Sequence, residues 1–262
     1  MTSQTESVLR ENNSSGRGSL IGYFPAGYPS ISESIDAAVA MCKNGVDVLE
    51  LGVPYSDPVM DGLVIQEATA EALRKGYRLH DTFEIIRGIK AQVDTPILVM
   101  TYWNPVLSYG VEKFAHELKL AGAAGLITPD LIPDEAGDWM DVSDKYELDR
   151  VFLAAPTSST ERLQNASTLS RGFVYAVSTM GITGARDEVD SLAKKVVAGV
   201  RAVSNSALTA VGIGLSTPKQ VAEVNEYADG AIVGSAFVKA FAAGGIDALS
   251  AKVREIAAPL VR

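Results

Sequence analysis

The chain has 262 residues, with 23 Lys plus Arg against 32 Asp plus Glu and a formal net charge of −9. Its length fits one large barrel or two smaller domains, and its 47% hydrophobic and 21% charged residues are typical of a globular protein. The acidic balance argues against a protein that wraps nucleic acid, because that affinity depends on clustered Lys and Arg. The apolar stretches are too short for a membrane span, which needs about 20 residues.

The N-terminal segment and the cysteine content point to a cytoplasmic protein. Residues 1–18 are polar and lack the apolar centre of a secretory signal, so we expect a flexible or short helical lead-in before a domain over 19–262. The single cysteine, Cys42, has no partner within the chain for a disulfide, which is typical of a reducing compartment. With only two histidines, His80 and His116, we expect no metal site.

Short apolar runs alternate with segments of helical periodicity along the chain. The runs predict strands at 20–24, 46–53, 96–101, 125–128, 150–153, 173–177, 208–211 and 230–233. The periodic segments predict helices at 30–44, 61–75, 111–121, 134–146, 160–171, 190–204, 218–226 and 246–258, with an extra helix at 81–93. Eight strands and eight helices predict an α/β fold, a single (β/α)8 TIM barrel. The alternative, an open doubly wound sheet, lacks support from a Gly-x-Gly-x-x-Gly segment after the first strand.

The second predicted strand carries one acidic residue among apolar ones. Alternation along the strand places Glu50 on the same face as Val46 and Val48. If that face is the barrel interior, burial raises the pKa of the carboxyl and suits it to proton transfer near neutral pH. The alternative is a structural glutamate paired with an arginine from a neighbouring strand.

The loop after this strand offers a second carboxylate. Asp57 and Asp61 are both candidates, and Asp61 directly precedes a predicted helix. An aspartate in that position often caps the helix, so the loop alone does not decide between a capping and a catalytic role.

Glycines follow the last two strands, where barrels commonly bind a substrate phosphate. One loop contains Gly212 and Gly214, and the other begins with Gly234 and Ser235 and opens a short apolar helix. A helix N-terminus supplies N–H donors and a positive dipole, so we expect a phosphate-binding helix after strand eight. The longer loop at 178–187 contains two glycines and suits a mobile lid, in which Thr183 and Gly184 add phosphate donors.

Several segments together resemble the tryptophan synthase alpha chain family. They are 50–58 (ELGVPYSDP), 61–62 (DG), 65–66 (IQ), 178–184 (STMGITG), 212–214 (GIG) and 234–236 (GSA). The similarity covers nearly the whole chain from about residue 18, and the residues around Trp103 and Pro105 resemble the actinobacterial branch. The resemblance implies a lyase that splits indole-3-glycerol phosphate into indole and glyceraldehyde 3-phosphate by a retro-aldol step, within tryptophan biosynthesis.

The resemblance also implies roles for individual residues. Glu50 is the acid/base and Asp61 the partner of the indole N–H. The substrate-binding residues it implies are Tyr23, Tyr102, Tyr175, Thr183, Gly184, Gly214, Gly234 and Ser235. No metal or organic cofactor is implied for this chain.

A partner is implied as well. Alpha chains of the family work in an α2β2 complex with a beta chain that carries pyridoxal phosphate, and the matching interface residues are Pro54, Asp57 and Pro58. One departure is Leu63, which stands where the family usually has proline. Its loss frees the backbone, so we expect the loop that carries Asp61 to be less preorganised.

Three other functions stay open at this point. The first is a non-catalytic subunit that only activates a beta-type partner. The second is another phosphate-binding barrel enzyme of indole or histidine biosynthesis, and the third is a free-standing lyase that releases indole. The presence of both Glu50 and Asp61 speaks against the first two.

Overall fold

Nine parallel strands in the described residues form one sheet around a central interior. The computed structural model describes residues 3–177, 186–212 and 214–260, without the side chains of 186–190. The strands are β1 Leu20–Pro25, β2 Val48–Gly52, β3 Ile97–Met100, β4 Gly125–Ile127, β5 Asp149–Val151, β6 Leu153–Ala154, β7 Val174–Val177, β8 Thr209–Gly212 and β9 Gly230–Val233. They are ordered β5-β4-β3-β2-β1-β9-β8-β7-β6.

The two edge strands of this sheet are consecutive in the chain and close it into a barrel. Only Phe152 separates β5 from β6, and they pair on opposite sides, with β4 and β7. The Phe152 carbonyl also accepts a hydrogen bond from the Tyr175 N–H, at 3.0 Å. Residues 149–154 therefore act as one interrupted strand, the fifth of eight. This confirms the predicted (β/α)8 barrel and excludes the open sheet.

The helices surround the barrel. They are α1 Gln4–Ser14, α2 Ile31–Lys43, α3 Leu63–Arg74, α4 Asp81–Lys90, α5 Trp103–Tyr109, α6 Val111–Ala121, α7 Gly137–Lys145, α8 Thr160–Leu169, α9 Arg186–Val203, α10 Pro218–Val224 and α11 Ser235–Ala257. Short 3-10 turns occur at Pro133–Glu135 and Ala258–Leu260. Among the described residues, none of the helices has the length and apolarity needed to cross a membrane.

The predicted helices α8 and α10 each begin with a side-chain cap. Thr217 forms a capping box with Gln220 at the start of α10, and the Ser159 hydroxyl accepts from the Arg162 N–H at the start of α8. Non-helical backbone at Gly244 and Gly245 divides α11 into residues 235–243 and 246–257. The first part is the predicted short helix after the last strand.

The sequence analysis missed α5 because its cap is remote in sequence. Both carboxylate oxygens of Asp130, on the loop after β4, accept the Trp103 N–H at the start of this helix, at 2.9 and 3.1 Å. The helix has seven residues and includes Pro105, so its sequence carries neither a local cap nor a clear apolar period.

Helix α1 covers the end of the barrel at which the strands begin. Leu9 is fully buried and packs with the inward side chains of the barrel floor, which include Ile21, Val48 and Leu98. The Ser3 hydroxyl donates to Asp149 Oδ2 at 2.6 Å and accepts from the Glu6 N–H, which fastens the helix to β5. The N-terminal residues therefore complete the hydrophobic interior.

We expect Leu9→Ala to lower the free energy of unfolding by about 2–5 kcal/mol, because it leaves a cavity in the barrel floor. The matched control is Glu11→Ala on the exposed side of the same helix, with an expected change within about 0.5 kcal/mol. Urea unfolding of both variants measures the difference. Equal stabilities would contradict the sealing role of α1.

Candidate active site

Glu50 lies on β2 with its side chain inside the barrel. In the sheet it is aligned with Tyr23 of β1 and Leu98 of β3. Val48, two residues earlier on the same face, belongs to the apolar floor, so the Glu50 carboxyl lies directly above that floor. The residue is 1% exposed, and its Oε2 atom has no hydrogen-bond partner among the described residues.

Burial makes Glu50 a weak acid. Desolvation first, and the negative charge of Asp61 second, raise its pKa from the usual 4.5 to about 8. No arginine or lysine among the described residues contributes to this carboxyl, which argues against the alternative of a structural ion pair. At pH 7 Glu50 is therefore mostly protonated and able to donate a proton.

Asp61 lies on the loop between β2 and α3 and faces the same cavity. Gly62 is the N-cap of α3 and no side chain caps this helix, so Asp61 is not a capping residue. Burial raises its pKa from the usual 3.8 to about 6. Near neutral pH the site thus combines a protonated Glu50 with an ionised Asp61, two carboxyl groups whose environments assign them different roles.

Two hydrogen bonds with side chains outside the loop hold the backbone around Asp61. The Met60 N–H donates to Tyr102 Oη at 2.9 Å, and Gln66 Nε2 donates to the Asp61 carbonyl at 2.7 Å. The Tyr102 ring also packs on Tyr55, with ring centres 5.1 Å apart. Tyr102 thus supports the loop in addition to facing Asp61.

Tyr23 and Tyr175 enter the barrel from nearly opposite strands, and each lies against a glycine. A Cβ atom on Gly52 would lie 2.1 Å from Tyr23 Oη, and one on Gly212 would lie 2.2 Å from Tyr175 Oη. Burial raises the pKa of both phenols well above the ordinary value, so both stay neutral. The two glycines make room for the two hydroxyl groups in the barrel mouth.

A cavity of about 170 Å³ connects these groups. Its lining residues come from the carboxyl ends of the strands and the loops after them: Tyr23, Glu50, Met60, Asp61, Gly62, Ile65, Met100, Tyr175, Gly212, Gly214, Ile232, Gly234 and Ser235. Larger grooves of about 330 to 570 Å³ lie elsewhere, three of them near the barrel floor and α1. We assign the site to the smaller cavity because it alone contains the two carboxyl groups with raised pKa.

One wall of the cavity is a glycine-rich surface with backbone N–H donors that lack a partner among the described residues. Gly214 has φ of +51° and open space around it, and Gly234 precedes α11 without a side-chain cap. The first helical N–H groups bonded to the Gly234 carbonyl are those of Phe237 and Val238. The N–H groups of Ser235 and Ala236, which precede them at the start of α11, are thus available to an anion. Thr183 and Gly184 lie outside the described residues, as does most of the predicted lid at 178–187.

The three predicted interface residues differ in exposure. Asp57 is exposed and accepts a hydrogen bond from the Ser56 hydroxyl, and Pro58 is half-buried. Pro54 is buried under the loop, so it supports the loop from below. Val59, which the sequence analysis did not single out, is 80% exposed on the same loop.

Among the described residues, no group of three or more His, Cys, Asp and Glu side chains is arranged to bind a metal ion. The fold and the carboxyl pair at the ends of its strands define a (β/α)8-barrel enzyme of the acid/base type.

Comparisons with known proteins identify the family. The model of the family "Tryptophan synthase alpha chain" matches residues 9–258. The alpha chain of Leifsonia xyli subsp. xyli is 56% identical over 261 residues, covering 99% of each chain, and that of Mycobacterium intracellulare is 51% identical over 243 residues, covering 93% of this chain and 89% of the relative. A structure of Mycobacterium tuberculosis tryptophan synthase superposes with a TM-score of 0.93 at 47% identity, covering 99% of each chain. The chain belongs to the tryptophan synthase alpha chain family.

We expect Glu50→Gln to stabilise the protein at neutral pH. The folded state keeps Glu50 protonated up to about pH 8, whereas the unfolded state releases this proton above about pH 4.5, so stability is lost between those values. Gln removes this loss, which is about 3 kcal/mol at pH 7. Urea unfolding of wild type and Glu50→Gln at pH 4 and pH 8 measures the change in the free energy of unfolding, with Glu67→Gln on the exposed face of α3 as control. A gain of equal size at both pH values would contradict the raised pKa.

Proposed function

We propose that this chain cleaves indole-3-glycerol phosphate into indole and glyceraldehyde 3-phosphate, with Glu50 as the acid/base and Asp61 as the partner of the indole N–H. The observation that carries this assignment is the pair of buried carboxyl groups at one cavity, one of them without a partner for Oε2. Family membership supports the substrate and the reaction.

The lining of the cavity matches the two ends of this substrate. Ile65, Met100 and Ile232 supply apolar surface for the indole ring. Gly234 and Ser235 lie at the N-terminus of α11, where backbone donors and the helix dipole favour the phosphate. Tyr23 and Tyr175 face the space between, where the glycerol chain would lie. Gly214, and Thr183 and Gly184 from the resemblance, complete the proposed phosphate site.

Glu50 then acts twice in the reaction. Its proton goes to C3 of the indole, and the positive charge that forms on the ring nitrogen is stabilised by the Asp61 carboxylate. The Glu50 carboxylate next takes the proton of the hydroxyl on the adjacent side-chain carbon. The bond from C3 to that carbon breaks, its electrons return to the ring as indole forms, and the side chain leaves as the aldehyde.

The proton transfers and the bond cleavage use the two carboxyl groups, and we propose that the chain performs them without a cofactor of its own. Pyridoxal phosphate belongs to the proposed beta partner. We also propose a cytoplasmic location, supported by the single cysteine, which is partly buried.

The proposed docking surface for a beta chain, in an α2β2 complex, is the loop that carries Asp57 and Pro58. Exposed apolar side chains follow three adjacent strands on this rim: Val59 after β2, Leu107 after β3 and Ile132 after β4. Exposed apolar residues grouped on one rim are typical of a protein interface. A solved tryptophan synthase complex from Pyrococcus furiosus has a chain 33% identical to this one, with a TM-score of 0.82.

We expect purified protein to release indole from indole-3-glycerol phosphate, and Glu50→Gln and Asp61→Asn each to reduce kcat/KM by about 10²–10⁴. The control Glu67→Gln makes the same substitution at an exposed site and keeps wild-type activity. Activity of Glu50→Gln equal to wild type would remove Glu50 from the mechanism. Absence of indole even with a beta chain would favour the non-catalytic subunit.

The two raised pKa values predict a bell-shaped dependence of kcat/KM on pH. The rate rises as Asp61 ionises near pH 6 and falls as Glu50 loses its proton near pH 8. In Asp61→Asn the acidic limb is lost, and the alkaline limb moves to lower pH because one of the two causes of the Glu50 shift is gone. Initial rates between pH 5 and pH 9.5 measure both limbs. A flat profile across this range would contradict the assignment.

A further inference from the structure

Among the described residues, none donates a hydrogen bond to the Asp61 carboxylate. Its orientation there depends on the backbone, and burial is the cause of its raised pKa. Gly62, the next residue, has open space around it and imposes no steric limit. Whatever holds the Asp61 peptide group therefore decides whether the carboxylate points into the cavity.

Gln66 holds that peptide group from helix α3. Its side chain extends back along the helix, and Nε2 donates to the Asp61 carbonyl at 2.7 Å. Where the structure describes both partners, the one other hydrogen bond that joins residues 56–62 to a distant element is that from the Met60 N–H to Tyr102 Oη. The Gln66 bond acts on Asp61 itself, whereas the Tyr102 bond acts on the residue before it.

The first residue of α3, Leu63, does not restrain the junction between the loop and the helix, which is formed by residues 61–63. Leu63 is 66% exposed, and the first helix donors bonded to the Gly62 carbonyl are the N–H groups of Ile65 and Gln66. Gly62 is extended, with φ of −73° and ψ of 161°, a conformation compatible with a following proline. The position would thus accept the proline that commonly begins a helix, and the chain has leucine there.

We propose that Gln66 is a positioning residue for Asp61: its side-chain amide holds the Asp61 carbonyl and thereby keeps the carboxylate in the cavity opposite Glu50. The bond performs the restraint that a proline at residue 63 would otherwise impose on the junction. This inference rests on the proposed function, since it concerns the same lyase site.

The first test compares Gln66→Met with wild type in indole release. Met keeps the length and the helix propensity of Gln but donates no hydrogen bond. We expect kcat/KM to fall about tenfold, the effect of losing one neutral hydrogen bond. Gln66→Leu, which also lacks the donor and adds no charge beside Asp61, serves as the second variant if Met perturbs folding, and Glu67→Gln on the same helix turn is the control.

A pH profile separates positioning from general structural damage. The titratable groups that face Asp61 are Glu50 of β2, Tyr23 of β1, Tyr102 after β3 and Tyr175 of β7. A released loop exposes Asp61 to water and moves it away from Glu50. We therefore expect both limbs of the profile to move to lower pH in Gln66→Met, with the melting temperature unchanged.

Rescue provides the decisive comparison. Leu63→Pro restricts the backbone between Gly62 and α3 and removes no N–H that is hydrogen-bonded. We therefore expect the double variant Leu63→Pro/Gln66→Met to regain activity and the original pH limbs, and Leu63→Pro alone to change little. Unshifted limbs and wild-type kcat/KM in Gln66→Met, or a double variant no better than the single one, would overturn the positioning role. If wild type itself released no indole, the proposed function would fail instead.

Discussion

The Glu50 carboxyl is buried above the apolar floor of the barrel, its Oε2 atom has no partner in the part of the chain that the structure describes, and the rest of the site is arranged around it. An ionised carboxylate there would be strongly disfavoured, so the group stays protonated at neutral pH. The groups that face it are neutral phenols and one carboxylate on a loop. A nearby cation would return the pKa of Glu50 to its ordinary range, and none is present among the described residues.

Barrel geometry makes this burial possible through a repeated relation between strands. Tyr23 is aligned with Glu50 and Tyr175 with Ala210, and in each case the residue two positions further along the neighbouring strand is glycine. The space left by Gly52 and Gly212 accepts the phenol oxygens. The apolar floor, sealed below by Leu9 of α1, keeps water out from the opposite end. The raised pKa of Glu50 thus depends on side-chain packing at both ends of the barrel.

Much of the barrel was predictable because its strands are short, apolar and regularly spaced. The sequence analysis expected a raised pKa for Glu50 on the condition that its strand face is the barrel interior, and the structure places its side chain inside, above the apolar floor. What the sequence analysis missed depends on contacts between distant residues. Asp130 caps α5 from another loop, so the local sequence of this helix does not reveal its start. The Gln66 bond to Asp61 is close in sequence, yet it was missed because its acceptor is a backbone carbonyl whose position follows from the loop conformation.

Direct titration of the Glu50 carboxyl tests the central claim. Carbon-13 NMR of protein labelled at the side-chain carboxyl carbons of glutamate follows each group with pH, and the resonance absent from Glu50→Gln identifies Glu50. A midpoint near pH 8 is expected, well above the ordinary range of the exposed glutamates. A midpoint between about pH 4 and 5 would mean that Glu50 is ionised at neutral pH and is not the proton donor.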